Sequence, residues 1–191
     1  MEMITSVFKD AIAAASSTVE IQDPFLHVLS GGSCQANTPW FYEAAPLSCY
    51  LLLYTREGCG KLLFGSQVFT LTENTMVFCS CEKRFRLDAA LSPWAFSLYL
   101  ISGSSLKSYA GLLSKDLYPV VMDVPPFSDT ALHLQKLPSA ISSDQSPLLS
   151  HALLTDILVA GIIRHTHQDP QPLLPSYLTE ARILFDHHFE E

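Results

Sequence analysis

The stretch that decides the fold covers residues 50–101 and reads YLLLYTREGCGKLLFGSQVFTLTENTMVFCSCEKRFRLDAALSPWAFSLYLI. Its short apolar and alternating runs are separated by turn signals, among them Glu57-Gly58-Cys59-Gly60, Gly65-Ser66 and Ser92-Pro93. Runs this short and this closely spaced are typical of antiparallel strands in a small barrel or sandwich. Beyond this stretch the apolar spacing becomes helical. A barrel followed by helices indicates a binding module with an attached interaction element.

Apolar alternation and helical periodicity place the predicted elements along the rest of the chain. Residues 38–42 are predicted as an edge segment, because Pro39 has no N–H to donate to a strand ladder. Residues 139–144 are predicted as a loop, and Gly31-Gly32 is predicted to close the first strand. The other predicted strands are 25–29, 49–55, 61–64, 67–71, 76–80, 84–87, 94–101 and 118–123; the predicted helices are 106–117, 129–137 and 148–165, and residues 1–20 form an arm or a helix.

The helix predicted at 148–165 is apolar over a wide sector. Leu149, Leu153, Ile157 and Gly161 form one stripe, and a second apolar stripe lies beside it. Such a helix is usually buried on two sides. One side can lie on the strands, and the other can be covered by a symmetric partner or by the preceding short helix. The dimer contact is predicted at Leu154, Ile157, Leu158 and Ile162.

Composition narrows the class of protein. Of the 191 residues, 48% are hydrophobic and 16% are charged, which is typical of a globular chain with a large core. The net charge of -8 makes this chain by itself a poor binder of nucleic acid. No apolar run approaches the length of a membrane span and the N-terminus lacks an apolar signal core, so a cytoplasmic location is predicted.

The five cysteines occur at irregular spacing, which indicates reduced thiols in a cytoplasmic protein. Cys79 and Cys81 lie two apart on a predicted strand, so their side chains point to the same face. They could form half of a metal site, or they could be two small core residues. No second Cys or His pair with ligand spacing accompanies them, and no metal is therefore predicted.

Four segments of the chain carry a family pattern. They are YLLLYTREGCG at 50–60, Gly65-x-x-x-Phe69-x-Leu71, FCSCEKRFRL at 78–87 and WAFSLYLISG at 94–103. In this order they resemble the N-terminal cupin barrel of the arabinose-regulator (AraC/XylS) family of bacterial transcription factors. The final segment, PSYLTEARILFDHHF at 175–189, resembles the opening of that family's DNA-binding domain.

The resemblance implies an α+β chain. A cupin-like antiparallel β-barrel (double-stranded β-helix) would occupy residues 21–102, followed by antiparallel dimerisation helices at 103–167. A proline-rich linker at 168–175 and the first helix of a truncated DNA-binding domain at 176–191 would come next, with the natural chain continuing beyond Glu191. The implied function is the effector-sensing and dimerising region of an AraC-type regulator. It would form a homodimer and contact DNA only through the part beyond this chain.

Metal-dependent cupins place a His-x-His pair and a later histidine on their strands. This chain has no His-x-His in the predicted barrel, and the later position falls at Phe85, which cannot ligate a metal. His165 and His167 lie at a helix end, where residues two apart do not share a face. Because the sequence also lacks a nucleophile elbow and paired carboxylates at useful spacing, no enzyme activity and no cofactor are predicted. A cupin-fold enzyme is the least favoured alternative.

Strand alternation predicts an apolar interior. Phe85 and Leu87 share one face of their strand, as do Phe96 and Leu98. A buried sugar needs converging hydrogen-bond partners, so an apolar or aromatic effector is predicted instead. The alternative is a ligand-free structural module whose barrel is filled by its own side chains. Trp40 can stack on a ligand or pack on a neighbouring helix. The residues predicted to bind the ligand are Trp40, Tyr54, Phe85, Leu87, Trp94, Phe96 and Leu98.

Overall fold

The computed structural model describes residues 25–113, 119–142 and 147–167, and the predictions for residues 1–20 and 168–191 lie outside them. Strands come first and helices last, as the sequence predicts. The strands are β1 (His27–Ala36), β2 (Phe41–Ala44), β3 (Tyr50–Glu57), β4 (Gly60–Phe64), β5 (Gln67–Leu71), β6 (Thr75–Ser80), β7 (Phe85–Ala89), β8 (Trp94–Ser102) and β9 (Val120–Asp123). The helices are α1 (Leu106–Leu113), α2 (Asp129–Ser142) and α3 (Pro147–His167).

The strands form two antiparallel sheets. The large sheet has the order β1-β8-β3-β6-β9, and the small sheet has the order β2-β7-β4-β5. All ladders between the described residues lie within one sheet or the other, so the strands make a two-sheet sandwich and not the closed barrel that was predicted. Residue alternation is the same in both architectures, and closure depends on the tilt and stagger of the strands. β2 is an edge strand, as the proline predicts.

β1 continues through Gly31 and Gly32, where the sequence predicts the end of the strand. A Cβ atom at Gly31 would lie 2.5 Å from the carbonyl oxygen of Leu98 and 2.6 Å from the Tyr99 ring. Gly31 is paired with Tyr99 in the ladder between β1 and β8. This glycine therefore allows a close approach of two strands and does not mark a turn.

Side chains of the large sheet alternate between two cores. Leu51 and Leu53 of β3 belong to the core between the sheets, whereas Leu52 belongs to the core beneath the helices. Covering both faces of β3 explains the unbroken apolar run in its sequence, since a strand that is buried on one side only would show alternation.

α2 extends beyond the predicted end at residue 137 and includes Pro138. Leu137 and Ala140 of this helix are buried in the helix-side core. The burial of Ala140 favours continuing the helix over the loop predicted at 139–144, because tertiary packing supplies most helix stability in proteins. Ser128 precedes the helix, and its hydroxyl oxygen accepts a hydrogen bond from the Ala131 N–H at 3.3 Å, as an N-cap does.

α3 packs against α1, α2 and β1. Its stretch Pro147–His165 has a mean hydropathy of 1.4 and is long and apolar enough to cross a membrane, by length and composition alone. The sequence predicts that no apolar run approaches the length of a membrane span. That prediction is wrong, because this stretch of 19 residues is long and apolar enough by composition. Packing within the fold accounts for part of this apolar character, because one side of α3 lies in the helix-side core and 33% of the stretch is buried.

Candidate functional site

The space between the sheets holds an aromatic cluster formed by Trp40, Trp94 and Phe96. Trp94 and Phe96 project from β8 to the same side, and their ring centroids are stacked 4.0 Å apart. Phe85 and Leu87 of β7 belong to the same core. The structure thus brings together six of the seven residues predicted to bind a ligand, the sixth being Leu98.

Trp40 is the half-buried member of the aromatic cluster. Its ring centroid lies 6.3 Å from that of Trp94 and 6.2 Å from that of Phe96. The backbone carbonyl of Trp40 accepts a hydrogen bond from the Ala89 N–H at 3.0 Å, which fixes the chain just before β2. Trp40 therefore packs against Trp94 and Phe96, and it is the member of the cluster that is partly exposed to solvent.

The aromatic cluster contains a hydrogen bond that the sequence does not predict. The Nε1–H of Trp94 donates to Oγ1 of Thr55 at 3.3 Å, and Thr55 is fully buried. Gly60 lies against the Trp94 indole, where a Cβ atom would overlap the ring. The glycine itself was the only sequence signal of this contact, and it was assigned to a turn.

The interior is filled by the chain's own side chains. Leu87, Trp94, Phe96 and Leu98 are fully buried, and Phe85 is 2% exposed. This is the arrangement that the sequence left open as the alternative to a ligand-filled barrel. Apolar walls of this kind offer no partners to sugar hydroxyls, so the only groups that could enter favourably are apolar or aromatic.

Tyr54 does not join the aromatic cluster. It belongs to the helix-side core, and its hydroxyl donates to Oδ1 of Asn74 at 3.0 Å. Burial, followed by the nearby charge of Glu73, raises the pKa of Tyr54. Placing it in the ligand site was wrong because successive strand residues point to opposite faces, and its neighbour Thr55 is the one that faces Trp94.

The described residues contain no group of three or more His, Cys, Asp or Glu side chains placed to hold a metal ion. Phe85, at the position where the resembled family has a histidine, lies in the core between the sheets. Cys79 and Cys81 share a face, as predicted, and they lie in that same core together with Cys49.

The four residues of α3 predicted to form the dimer contact do not form an outward surface. Leu154, Ile157 and Leu158 are fully buried within the chain, and Ile162 is half-buried against the same core. α1 and α2 pack against α3 and cover its second apolar side. The sequence left open whether a preceding helix or a partner would cover that side. The predicted interface at these residues is therefore wrong.

α3 turns a different apolar face outward. Leu148, Ala152, Val159 and Ile163 are exposed, and their spacing puts them on one side of the helix, here called the outward stripe. The exposed Asp156 lies at the edge of this stripe. Val159 is 38% exposed and Ile163 is 52% exposed. The outward stripe was missed because the buried stripes of the same helix are equally apolar in sequence.

A small cavity lies on the helix side of the large sheet. Its volume is about 10 Å³, which is room for about one water molecule. Met76, Met122 and Gly161 line it, and a Cβ atom on the glycine would lie 3.2 Å from the sulfur of Met122. At its edge, Nη1 of Arg164 donates to the carbonyl oxygen of Asp123 at 2.7 Å. The cavity is too small to hold an effector.

No known family profile and no curated protein matches this chain, but several solved structures do. An apo form of a ToxT variant from Vibrio cholerae aligns with a TM-score of 0.55 and 11% identity, over 72% of this chain and 56% of its own. CuxR, an AraC-like transcriptional activator, aligns with a TM-score of 0.53 and 16% identity, over 74% of this chain and 54% of its own.

The chain is similar in fold to ToxT and to the AraC-like activator CuxR. At this level of identity the likeness concerns the fold alone. ToxT from Vibrio cholerae O395 bound to (E)-4-(8-methylnaphthalen-1-yl)but-3-enoic acid aligns with a TM-score of 0.50 and 11% identity, over 74% of this chain and 58% of its own. The chain thus spans somewhat more than half the length of these proteins.

Proposed function

We propose that this chain is the regulatory region of an AraC-type transcriptional regulator, in which it senses a small apolar or aromatic effector and holds two copies together. The observation that carries the proposal is the shared fold. The same two-sheet sandwich with covering helices aligns with both ToxT and CuxR over nearly three quarters of the chain. The sequence motifs that resemble the arabinose-regulator family support it independently.

The effector site is placed at the aromatic cluster. Trp40 is its half-buried end, so turning this side chain outward opens a path to Trp94 and Phe96. The walls exposed in this way are apolar and aromatic, which suits an aromatic or aliphatic effector. ToxT bound to an aryl butenoic acid is a relative in fold whose ligand has this character.

The effector site predicts a rise in melting temperature with apolar ligands. We expect (E)-4-(8-methylnaphthalen-1-yl)but-3-enoic acid or decanoic acid to bind with its apolar part in the aromatic cluster and its carboxylate in water at the Trp40 end. Either acid should stabilise the chain by about 2.7 kcal/mol at a hundred times Kd. For a chain of this size that corresponds to about 5–10 °C in a thermal unfolding scan. Glucose, as the polar control ligand, should give no shift.

Two variants locate this effect. Trp40→Ala should lose most of the ligand-dependent shift, because the Trp40 ring covers the bound effector and supplies one of its aromatic contacts. Phe41→Ala is the matched control and should retain it, since the neighbouring ring is exposed and lies 4.1 Å from the Arg86 guanidinium carbon. An equal shift with glucose, or no shift with either acid at saturation, would rule out this effector site.

The dimer contact is placed on the outward stripe of α3, with a second copy of the chain as its partner. A helix of 21 residues is about 32 Å long, which lets two copies pack along several turns. Exposed Ala152 allows close approach, and Val159 supplies apolar area. Two copies related by a twofold axis would bury the same residues on both sides.

A ligand-free structural dimerisation module is the second candidate. The filled space between the sheets favours it, because Trp94, Phe96 and Leu98 already bury one another without a ligand. The thermal scan with apolar acids separates the two candidates. A dimer that no apolar ligand stabilises would leave dimerisation as the function of the fold.

DNA contact is assigned to a part of the regulator other than the described sandwich and helices. The net charge of -8 opposes binding to a phosphate backbone. The whole regulator would act in the cytoplasm without enzyme activity, and the chain covers only about 54–58% of the ToxT and CuxR chains to which it is similar in fold.

A further inference from the structure

Cys49 and Cys81 are neighbours across the start of β3 and the end of β6. The Cys81 N–H donates to the carbonyl oxygen of Cys49 at 2.9 Å, and the Leu47 N–H donates to the carbonyl oxygen of Cys81 at 2.9 Å. The ladder between the two strands continues directly from them with Tyr50 opposite Ser80. Continuing this register by one residue sets Cys49 opposite Cys81, and the two thiols are hydrogen-bonded to each other. Opposed residues of antiparallel strands have Cα atoms about 4.5–5.5 Å apart, within the range that a disulfide spans.

The side chains of this pair enter the same core. Cys49 is 5% exposed and Cys81 is fully buried, and both belong to the core between the sheets. The residues beside them, Ser48 and Glu82, are exposed. Cys49 is therefore the member of the pair closer to solvent.

The two thiols are chemically unequal. A hydrogen bond from the Cys81 thiol lowers the pKa of Cys49, although burial opposes this. The same hydrogen bond raises the pKa of Cys81 well above its ordinary value, and burial adds to the rise. Cys49 is thus the sulfur with more thiolate character, and the thiolate is the form that reacts with oxidants.

We propose that Cys49 and Cys81 form an oxidant-sensitive dithiol, a modification site at which hydrogen peroxide or another hydroperoxide converts two thiols into a disulfide. The Cys49 thiolate attacks one peroxide oxygen, so that an S–O bond forms, the O–O bond breaks and hydroxide leaves. The Cys81 sulfur then attacks the Cys49 sulfur; the S–S bond forms, the S–O bond breaks, and water leaves with the Cys81 proton. Each sulfur loses one electron and the peroxide gains two.

The remaining cysteines are poorer candidates for this reaction. Burial, followed by the nearby Cys49 charge, raises the pKa of Cys79 to about 12, and burial raises the pKa of Cys34 to about 11. Cys59 lies in the turn between β3 and β4, away from the end of β3 that carries Cys49. Cys59 is also the most exposed of the five, which makes it the internal reference for oxidation that needs no dithiol.

The test treats the purified chain with hydrogen peroxide, caps free thiols with N-ethylmaleimide and maps peptides by mass spectrometry. We expect a peptide pair joined through Cys49 and Cys81, an intact mass lower by about 2 Da before capping, and full reversal by dithiothreitol. Cys59→Ser should retain the bridge. Cys81→Ser should lose it, and Cys49 should then gain oxygen instead.

The mapping on the unchanged chain decides the proposal even if a serine variant does not fold. Peptides joined through Cys79 or Cys34 in place of this pair would overturn it. So would complete maleimide capping of Cys49 and Cys81 at a peroxide dose that oxidises Cys59. Oxygen addition at Cys49 without a bridge in the unchanged chain would equally contradict a dithiol.

Discussion

Replacing Ile157 by glutamate is expected to unfold the chain. Ile157 is fully buried among side chains of the large sheet, α1 and α2, so the substitution removes apolar contacts and places a carboxylate in an apolar core. Losing the apolar side chain alone costs about 2–5 kcal/mol, and the buried charge adds to this cost. Domains are stable by only about 5–15 kcal/mol. Circular dichroism should show loss of the cooperative thermal transition.

Leu158→Glu should behave in the same way, because Leu158 is also fully buried. Val159→Glu, one position further along the helix, is the control and should keep the fold. A well-folded monomer from Ile157→Glu would instead support the dimer contact that the sequence alone suggested.

Replacing Val159 by glutamate is expected to convert a dimer into a monomer. Val159 lies on the outward stripe, so its replacement leaves the core intact while placing two like charges near the proposed twofold axis. Buried unpaired charges at the centre of an interface cost several kcal/mol, which raises the dissociation constant by about three orders of magnitude. Sedimentation equilibrium should then give a mass near 21.1 kDa.

Ala152→Glu, also on the outward stripe, should give the same result. Leu112→Glu is the matched control, because Leu112 of α1 is 62% exposed and lies outside the outward stripe. If Val159→Glu and Ala152→Glu sediment as the unchanged chain does, the second copy does not bind at this face of α3.

The strands could be predicted from sequence because their signals are local. Alternation and turn residues predict a strand at residues 67–71, where β5 lies. Alternation also predicts that Phe96 and Leu98 of β8 share one face, and both lie in the core between the sheets. Barrel closure could not be predicted, since it depends on which distant strands pair. Gly31 was misread for a related reason: a glycine at a close strand approach looks the same in sequence as a glycine in a turn.

The site was predicted unevenly for physical reasons. Trp94 and Phe96 were found because large apolar side chains on one strand face predict a core. Tyr54 belongs to the helix-side core and not to the core between the sheets. Adjacent residues of a strand point to opposite faces, so an error of one residue exchanges the two cores. The sequence predicts an interface at the buried residues of α3, because an apolar helix face does not reveal in sequence whether the same chain or a partner covers it. The pairing of Cys49 with Cys81 needs the register of β3 and β6, which spacing along the chain does not give.

Native mass spectrometry of the chain, purified without denaturants, tests the central claim most directly, since it reports assembly and bound small molecules together. The proposed regulatory function predicts a species of about twice 21.1 kDa that carries an apolar small molecule, released when the protein is denatured. Extraction and mass analysis of that molecule would identify its class. A monomer at micromolar concentration that carries no small molecule, and to which decanoic acid does not bind, would contradict the account.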